Sequence, residues 1–141
     1  MTRPSSLVTL GEICRPRQWP TLSKKDLTTE GYPVYGANGK IGFSHSFTHE
    51  QPTLLIGCRG SCGTVHITES YSYANGNAMA LDSLDESIAD LRYLCHYFSH
   101  RGFRDVITGT SQPQIIQQHL KAIQIPLPPL EEQRRIAAIL D

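Results

Sequence analysis

The C-terminal end of the chain constrains its fold most strongly. Residues 123–125 have strand character, and the three prolines within residues 126–129 end that strand. An amphipathic helix follows at once, with Glu131 and Glu132 in its first turn, where carboxylates complement the helix dipole. Only about three turns of this helix precede Asp141, so we expect it to continue in the natural protein.

The same helix carries an apolar stripe broad enough to bury against another surface. We predict that this end packs and contacts a protein partner and does not contact DNA. The predicted partner contacts are Leu130, Ile136, Ile139 and Leu140.

Length and composition indicate one soluble globular domain. The chain has 141 residues, of which 39% are hydrophobic and 18% are charged. No apolar run approaches the roughly 18 residues that a membrane span requires, and Met1 to Leu10 contains no signal-peptide core. We therefore expect a cytoplasmic protein that does not associate with a membrane.

The four cysteines raise the question of a zinc site. Cys58 and Cys62 are separated by three residues, and Cys95 adjoins His96. The second pair lacks the spacing of a zinc finger, and four cysteines in a chain of this length do not make a disulfide scaffold. Free thiols are the favoured interpretation, and no metal is expected.

The charge pattern is polarised although the net charge is zero. Residues 1–61, which include Arg3, carry seven Lys and Arg against four acidic residues. Residues 62–105 carry three against six. Zero net charge argues mildly against a nucleic-acid partner, whereas a polarised chain can present one basic face.

Periodicity and turn signals predict an α+β fold with a mixed or antiparallel sheet of short strands and a few helices. Short helices are predicted to start at Thr9, where the pattern is a capping box, and at Ser23, and a second capping box at Ser83 predicts a longer helix over about 84–99. Residues 14–20 are predicted to be a loop. Strands are predicted at 32–35, 41–47, 52–57, 64–67, 78–81 and 123–125, and a short helix or turn at 117–121.

Signatures of catalysis are not found in the sequence. The glycines at 36, 39 and 42 have the wrong spacing for a dinucleotide fingerprint, and no phosphate-binding loop occurs. Ser61 lacks the flanking pattern of a nucleophile elbow, and no methyltransferase motif is present. We predict a protein without catalytic residues or cofactors.

Three glycine-flanked turns offer groups that can contact nucleic acid. They lie at residues 35–40, 57–61 and 73–77. Arg59 has the geometry to read guanine and Lys40 suits a phosphate, while Asn38, Asn75 and Asn77 can read adenine. The alternative interpretation is that the Asn-Gly pairs only form turns and that Arg59 is a solvated surface charge.

Four segments in order resemble one family. They are Leu-Gly-Glu-Ile at 10–13, residues 32–42, residues 55–65, and the block 109–136, which ends in LPPLEEQRRIA. Together they resemble the target-recognition domains of type I restriction–modification specificity subunits. The resemblance implies a DNA target-recognition domain at 1–127 and the start of a spacer and dimerisation helix at 128–141.

The resemblance also implies a non-catalytic reader of double-stranded DNA. In this family a subunit carries two recognition domains joined by long helices, and each domain reads one half of a bipartite target. Methyltransferase subunits bind the helices, and ATP-dependent restriction subunits join the complex. The implied partners are therefore DNA, both kinds of subunit, and a second recognition domain.

Within that resemblance we can rank the candidate DNA contacts. Asn38, Lys40, Arg59 and Ser61 are the favoured contacts at two turn tips, with about three to five base pairs read through the major groove. Arg15, Arg17 and Lys24 are candidates for phosphate contact. Ser111, Gln112 and Gln114 either reach DNA or fix a loop.

Three alternatives stay open from the sequence. One is the same kind of recognition domain within a single-chain restriction–methylation enzyme. Another is a protein-interaction module that binds no nucleic acid, which the zero net charge favours. The third is a metal-dependent hydrolase, which would require zinc at Cys58 and Cys62.

Overall fold

The computed structural model describes residues 6–141. Residues 1–5, which open the predicted recognition domain and include Arg3, lie outside the described residues. The helices are α1 (Leu10–Ile13), α2 (Leu91–Arg101), α3 (Gln117–Lys121) and α4 (Leu130–Leu140), with a 3-10 turn at Lys24–Asp26. The strands are β1 (Ser6–Thr9), β2 (Arg15–Gln18), β3 (Tyr32–Gly36), β4 (Gly39–Ser44), β5 (Leu54–Gly57), β6 (Val65–Ile67), β7 (Tyr73–Ala74), β8 (Ala78–Asp82) and β9 (Gln124–Leu127).

The strands form three sheets. The largest has the order β2-β8-β5-β6 and is antiparallel throughout. A second has the order β4-β3-β7, in which β3 pairs antiparallel with β4 and parallel with β7. β1 and β9 form the third, antiparallel pair. Mixed sheets with a few helices confirm the predicted α+β class.

The four-stranded sheet is buried on both faces. Leu54, Ile56 and Met79 point into the main core, where Phe98 of α2 and Leu120 of α3 join them. The opposite face carries small residues of β8 and Leu55, which pack against Tyr35 and Ala74 of the three-stranded sheet. Strand alternation explains this division, because successive side chains point to opposite faces. The main core and the smaller cluster around Leu55 therefore lie on opposite faces of the four-stranded sheet.

The helix predicted over 84–99 starts later than the sequence pattern indicates. Ser83 has a φ of 55°, which is incompatible with a helix N-cap, and residues 83–89 form turns. The true cap is Asp90, whose carboxylate accepts a hydrogen bond from Tyr93 N at 3.0 Å. Asp85 N instead donates to Ile13 O at 2.8 Å, so a contact distant in sequence holds this segment in its turn conformation.

The prediction of a loop at residues 14–20 is wrong over most of its length. Arg15–Gln18 is strand β2, paired in register with Asp82 to Met79 of β8. Pro16 is tolerated because β2 is an edge strand of its sheet. β1 is a further strand that the sequence pattern did not reveal.

The two short capped turns are confirmed. Glu12 accepts a hydrogen bond from Thr9 N at 3.0 Å at the start of α1. Asp26 accepts from the Ser23 hydroxyl at 2.6 Å at the start of the 3-10 turn. The predicted strands on either side of Asn38 and Gly39 are also present as β3 and β4.

One buried amide links α4 to the cap of α2 and to two turns. Gln133 is fully buried, and its Nε2 donates to Ile88 O and Pro128 O, both at 2.8 Å. Its Oε1 accepts from the backbone N of Asp90, the cap residue of α2, at 2.8 Å. A helix end and two turns thus depend on a single side chain. No helix within residues 6–141 is long and apolar enough to cross a membrane.

Candidate nucleic-acid interface

The sheet topology brings three polar turns to one end of the molecule. Turn A (residues 36–40) joins β3 to β4, turn B (residues 57–63) follows β5 and precedes β6, and turn C (residues 74–77) joins β7 to β8. The register Gly57↔Ala78 places turns B and C side by side, and the parallel pairing of β3 with β7 places A beside C. We call this end of the molecule the loop end.

Hydrogen bonds, all but one of them between backbone atoms, connect the three turns or the residues next to them. Asn77 O accepts from Cys58 N at 2.9 Å and from Arg59 N at 3.1 Å, which links turns B and C. Asn75 N donates to Tyr35 O at 2.9 Å, and the Thr64 hydroxyl donates to Ala37 O. The loop end is therefore held by the sheet framework and does not depend on the exposed side chains.

Gly57 occupies the closest approach between turns A and B. A Cβ at this position would overlap Ser61 O and Thr64 Oγ1, and it would lie 3.0 Å from Ala37 O. Two of these three atoms are backbone carbonyl oxygens, which cannot turn away as a flexible side chain can. The close packing of the two turns therefore requires glycine here.

A fourth segment, loop D (residues 108–114), closes against turn B. Arg59 and Gln114 form an antiparallel bridge, and Ile115 N donates to Cys58 O at 2.9 Å. Gln114 is also paired with Thr108 through backbone bonds of 2.8 and 2.9 Å. Between turn B and loop D lies a cleft of about 580 Å³, lined by Arg59, Gly60 and residues 111–114.

Besides Lys40 and Ser111, five of the residues proposed from sequence are exposed at the loop end. They come from turn A, turn B and loop D, segments that are up to 76 positions apart in the chain but adjacent in the fold. They are Asn38, Arg59, Ser61, Gln112 and Gln114. Their chemistry combines one guanidinium, three amides and one hydroxyl, which are the groups that hydrogen-bond base edges.

Lys40 is present at turn A but is already paired. Its ammonium lies 2.6 Å from a carboxylate oxygen of Glu69, and both side chains are more than half exposed. The hydrogen bond raises the pKa of Lys40, and the same bond lowers the pKa of Glu69. Tyr35 OH also donates to Glu69, at 3.4 Å. A phosphate would have to compete with this carboxylate for Lys40.

The two asparagines of turn C differ from the sequence-based expectation. Asn75 is 2% exposed, and its Oδ1 accepts from Leu22 N at 2.7 Å. Its amide therefore fixes the segment after β2 and is not free to read a base, which corrects its assignment as a DNA contact. Asn77 is half-buried, and its backbone carbonyl holds turn B.

The three predicted phosphate contacts lie along and after β2. Arg15 is exposed opposite Asp82, at the end of β2 away from turns A–C. Arg17 is exposed, with its guanidinium 3.8 Å from the centre of the Trp19 ring. Lys24 is exposed on the 3-10 turn that follows the segment bound by Asn75. Lys24 therefore follows a segment that is bound to turn C, whereas Arg15 lies at the opposite end of β2.

Sequence reasoning missed the residues that support the turns. Gln18 Nε2 donates to Gly76 O at 2.9 Å and to Cys58 Sγ at 3.4 Å, so it joins β2 to turns B and C. Glu69, which pairs with Lys40, was also not singled out. No local sequence pattern marks Gln18 or Glu69, because each contacts a partner at least 29 positions away in the chain.

The predicted partner stripe of α4 is only partly available. Ile136 packs against the main core and Leu130 is partly buried, whereas Ile139 and Leu140 are 76% and 58% exposed. Ala137 and Gln133 are the buried positions of this helix. Only the last turn of α4 therefore exposes large apolar side chains.

The cysteines show no arrangement for metal binding. Within residues 6–141, no group of three or more His, Cys, Asp or Glu side chains is placed to hold a metal ion. All four cysteines are free thiols. Burial raises the pKa of the Cys58 thiol to about 11, which keeps this side chain neutral beneath turn B at physiological pH.

Rigid sheets that present exposed polar turns at one end are typical of proteins whose functional residues lie on loops. Comparison with known proteins gives the family. Residues 4–141 match the family described as "Type I restriction modification DNA specificity domain", and the chain belongs to it. The resemblance predicted from the four sequence segments is confirmed.

Individual relatives agree with this assignment. The chain is 28% identical over 139 residues to the type I restriction enzyme EcoprrI specificity subunit of Escherichia coli, covering 94% of this chain and 34% of the relative. Its fold is similar to that of the type I restriction–modification S subunit from M. genitalium, with a TM-score of 0.82 and 23% identity over 96% of this chain and 37% of that one. The HsdS subunit from Thermoanaerobacter tengcongensis gives a TM-score of 0.69 and 24% identity over 96% and 36% of the two chains. The chain thus spans about a third of the length of the curated relatives that it matches.

Proposed function

We propose that this domain binds double-stranded DNA sequence-specifically, through the loop end. The observation that carries the proposal is the convergence of turns A and B with loop D, which exposes Arg59, Asn38, Gln112 and Gln114 together. Amide and guanidinium groups are the side chains best suited to bidentate contacts with adenine and guanine. Fixed backbones beneath them reduce the entropy lost on binding.

The charge distribution supports the same surface. Glu69 is paired with Lys40, so the charges of these two side chains largely offset each other. Arg59 and Lys24 are exposed cations. Exposed cations attract the phosphate backbone although the net charge of the whole chain is zero.

Family membership supports a place for this domain in a type I restriction–modification complex. We propose that it is a non-catalytic specificity component that reads one half of a bipartite target, with residues 1–127 as the recognition domain and 128–141 as the start of a spacer helix. Methyltransferase subunits, ATP-dependent restriction subunits and a second recognition domain are the proposed partners. The proposed compartment is the cytoplasm, where such a target lies.

The test is selection from a library of random DNA duplexes at low salt, followed by sequencing of the retained molecules. We expect a short enriched motif of about three to five base pairs and an affinity that falls steeply with salt, since counterion release accompanies phosphate contact. Retention without enrichment would contradict sequence-specific reading. No retention by folded protein would contradict DNA binding and favour the protein-interaction alternative.

A further inference from the structure

Arg59 and Gln114 are held as neighbours by the backbone. They are partners in an antiparallel bridge between turn B and loop D. Arg59 N is bound to Asn77 O at 3.1 Å, and Gln114 is bound to Thr108 through both its N–H and its carbonyl group. Both positions are thus fixed from two sides before any ligand arrives.

The two side chains share one face of this bridge. Directly opposed residues of an antiparallel pair have Cβ atoms about 4.5–5.5 Å apart and project to the same side. Arg59 and Gln114 are both exposed and line the cleft of about 580 Å³. Within residues 6–141 neither side chain forms a hydrogen bond or an ion pair, in contrast to Lys40 and Gln18.

The chemistry and spacing of this pair match two neighbouring bases. Arginine donates two hydrogen bonds to O6 and N7 of guanine, and glutamine forms two with N6 and N7 of adenine. Successive bases of a strand are about 3.4 Å apart along the axis, which is within reach of side chains rooted about 5 Å apart. Neither residue alone sets this spacing, because it comes from the bridge.

We propose that Arg59 and Gln114 form one reading pair for two adjacent purines, a guanine bound by Arg59 and an adenine bound by Gln114. This inference rests on the proposed function and adds the identity and adjacency of two bases in the half-site. Because the backbone bridge fixes the two side chains next to each other, guanine and adenine should occur at neighbouring positions of the motif, with no other base between them.

The experiment is parallel duplex selection with the 141-residue chain and with Arg59→Lys and Gln114→Ala. Lysine retains the positive charge but not the planar donor fork, so Arg59→Lys weakens guanine reading while keeping attraction to phosphate. We expect Arg59→Lys to reduce the preference at the guanine position only, and Gln114→Ala to lose the preference at the neighbouring adenine only, the latter by about 5- to 150-fold. Circular dichroism and thermal unfolding establish that each variant is folded.

Matched controls are Arg134→Lys on α4 and Gln118→Ala on α3, both of which replace exposed side chains. They should leave the motif unchanged. An enriched motif without adjacent guanine and adenine, or one that neither Arg59→Lys nor Gln114→Ala alters, would overturn the reading pair and leave the proposed function standing. Absence of any enriched motif with the parent chain would overturn both.

Discussion

Gly57 shows how a residue without a side chain can determine the shape of a recognition surface. Its Cα faces Ser61 O, Thr64 Oγ1 and Ala37 O, so turns A and B approach each other across it. Any larger residue has to separate the two turns, and with them Asn38 and Arg59. The exposed contacts and the buried glycine are therefore one structural unit.

We expect Gly57→Ala to lower the free energy of unfolding by roughly 2–3 kcal/mol, because the added methyl group overlaps backbone atoms that cannot move independently. Urea unfolding measures this loss, and duplex selection should show a weakened motif. Gly36→Ala is the control, since its Cβ would meet the flexible side chain of Ile41 at 3.2 Å, and Gly39 O, the nearest backbone atom beyond its chain neighbours, lies at an ordinary contact distance of 3.9 Å. A loss after Gly57→Ala no greater than that of the control would contradict the close approach.

The ammonium group of Lys40 is paired with one carboxylate, that of Glu69. The ion pair with Glu69 is solvent-exposed, so it contributes little to stability, but it occupies the ammonium group that a phosphate would need. We expect Glu69→Gln to tighten binding to duplexes of every sequence and to make the slope of log affinity against log salt steeper by about one. Titrations at several salt concentrations measure both quantities.

The matching control for that prediction is Glu69→Gln combined with Lys40→Gln. This double variant should lose the gain, because no ammonium group is left to be released. If Glu69→Gln tightened binding equally without Lys40, the effect would come from general charge repulsion, and the assignment of Lys40 to a phosphate would be wrong.

At the scale of elements, the sequence predicted the strands whose signals are local and missed those defined by distant partners. β3, β4, β5 and β8 follow from apolar runs and turn residues within each segment. β2 contains a proline and two arginines, and it is a strand only because β8 pairs with it across more than 60 residues. β1 is similarly defined by β9, at the other end of the chain.

Tertiary contacts also determine where α2 starts and which turns meet at the loop end. The pattern Ser83-x-x-Glu86 matches a capping box, but the turn is fixed by Ile13 and the true cap is Asp90. The individual turns were predictable from their glycines and asparagines, whereas their convergence follows from the strand order β2-β8-β5-β6, which no local pattern encodes. Asn75 is buried because the turns pack together at this end of the molecule.

The side chain of Gln133 connects α4 to the cap of α2 and to two turns. Removing its amide leaves Pro128 O without its partner in a buried setting, and Asp90 N and Ile88 O without theirs in a partly buried one. We therefore expect Gln133→Ala to lower the free energy of unfolding by roughly 2–4 kcal/mol in urea unfolding. Gln118→Ala, on the exposed side of α3, should change it by less than about 0.5 kcal/mol. Similar small effects of both variants would contradict the role of Gln133.

Across the whole molecule, the loop end and the start of α4 lie at opposite ends of the central sheet. Turn C precedes β8, and the segment that contacts Gln133 of α4 follows it. The apolar residues Ile139 and Leu140 belong to the last turn of α4, whereas the proposed DNA contacts belong to turns A and B and to loop D. The proposed protein contacts and the proposed DNA contacts therefore lie on different elements of the domain.

This separation predicts the behaviour of Ile139→Glu combined with Leu140→Glu. Both side chains are exposed, so the free energy of unfolding should change by less than about 1 kcal/mol, and the DNA motif and affinity should be nearly unchanged. Duplex titration and urea unfolding measure these quantities. Loss of DNA binding in a stably folded double variant would contradict the separation of the two surfaces.

Amide NMR mapping tests most directly whether DNA binds at the loop end. Spectra of the isotope-labelled chain are recorded while a duplex from the selected pool is added. We expect the shifted amides to cluster in turns A, B and C and in loop D, with α4 unaffected. Shifts concentrated in α4 or in residues 83–90, with the four loop-end segments unchanged, would contradict this expectation.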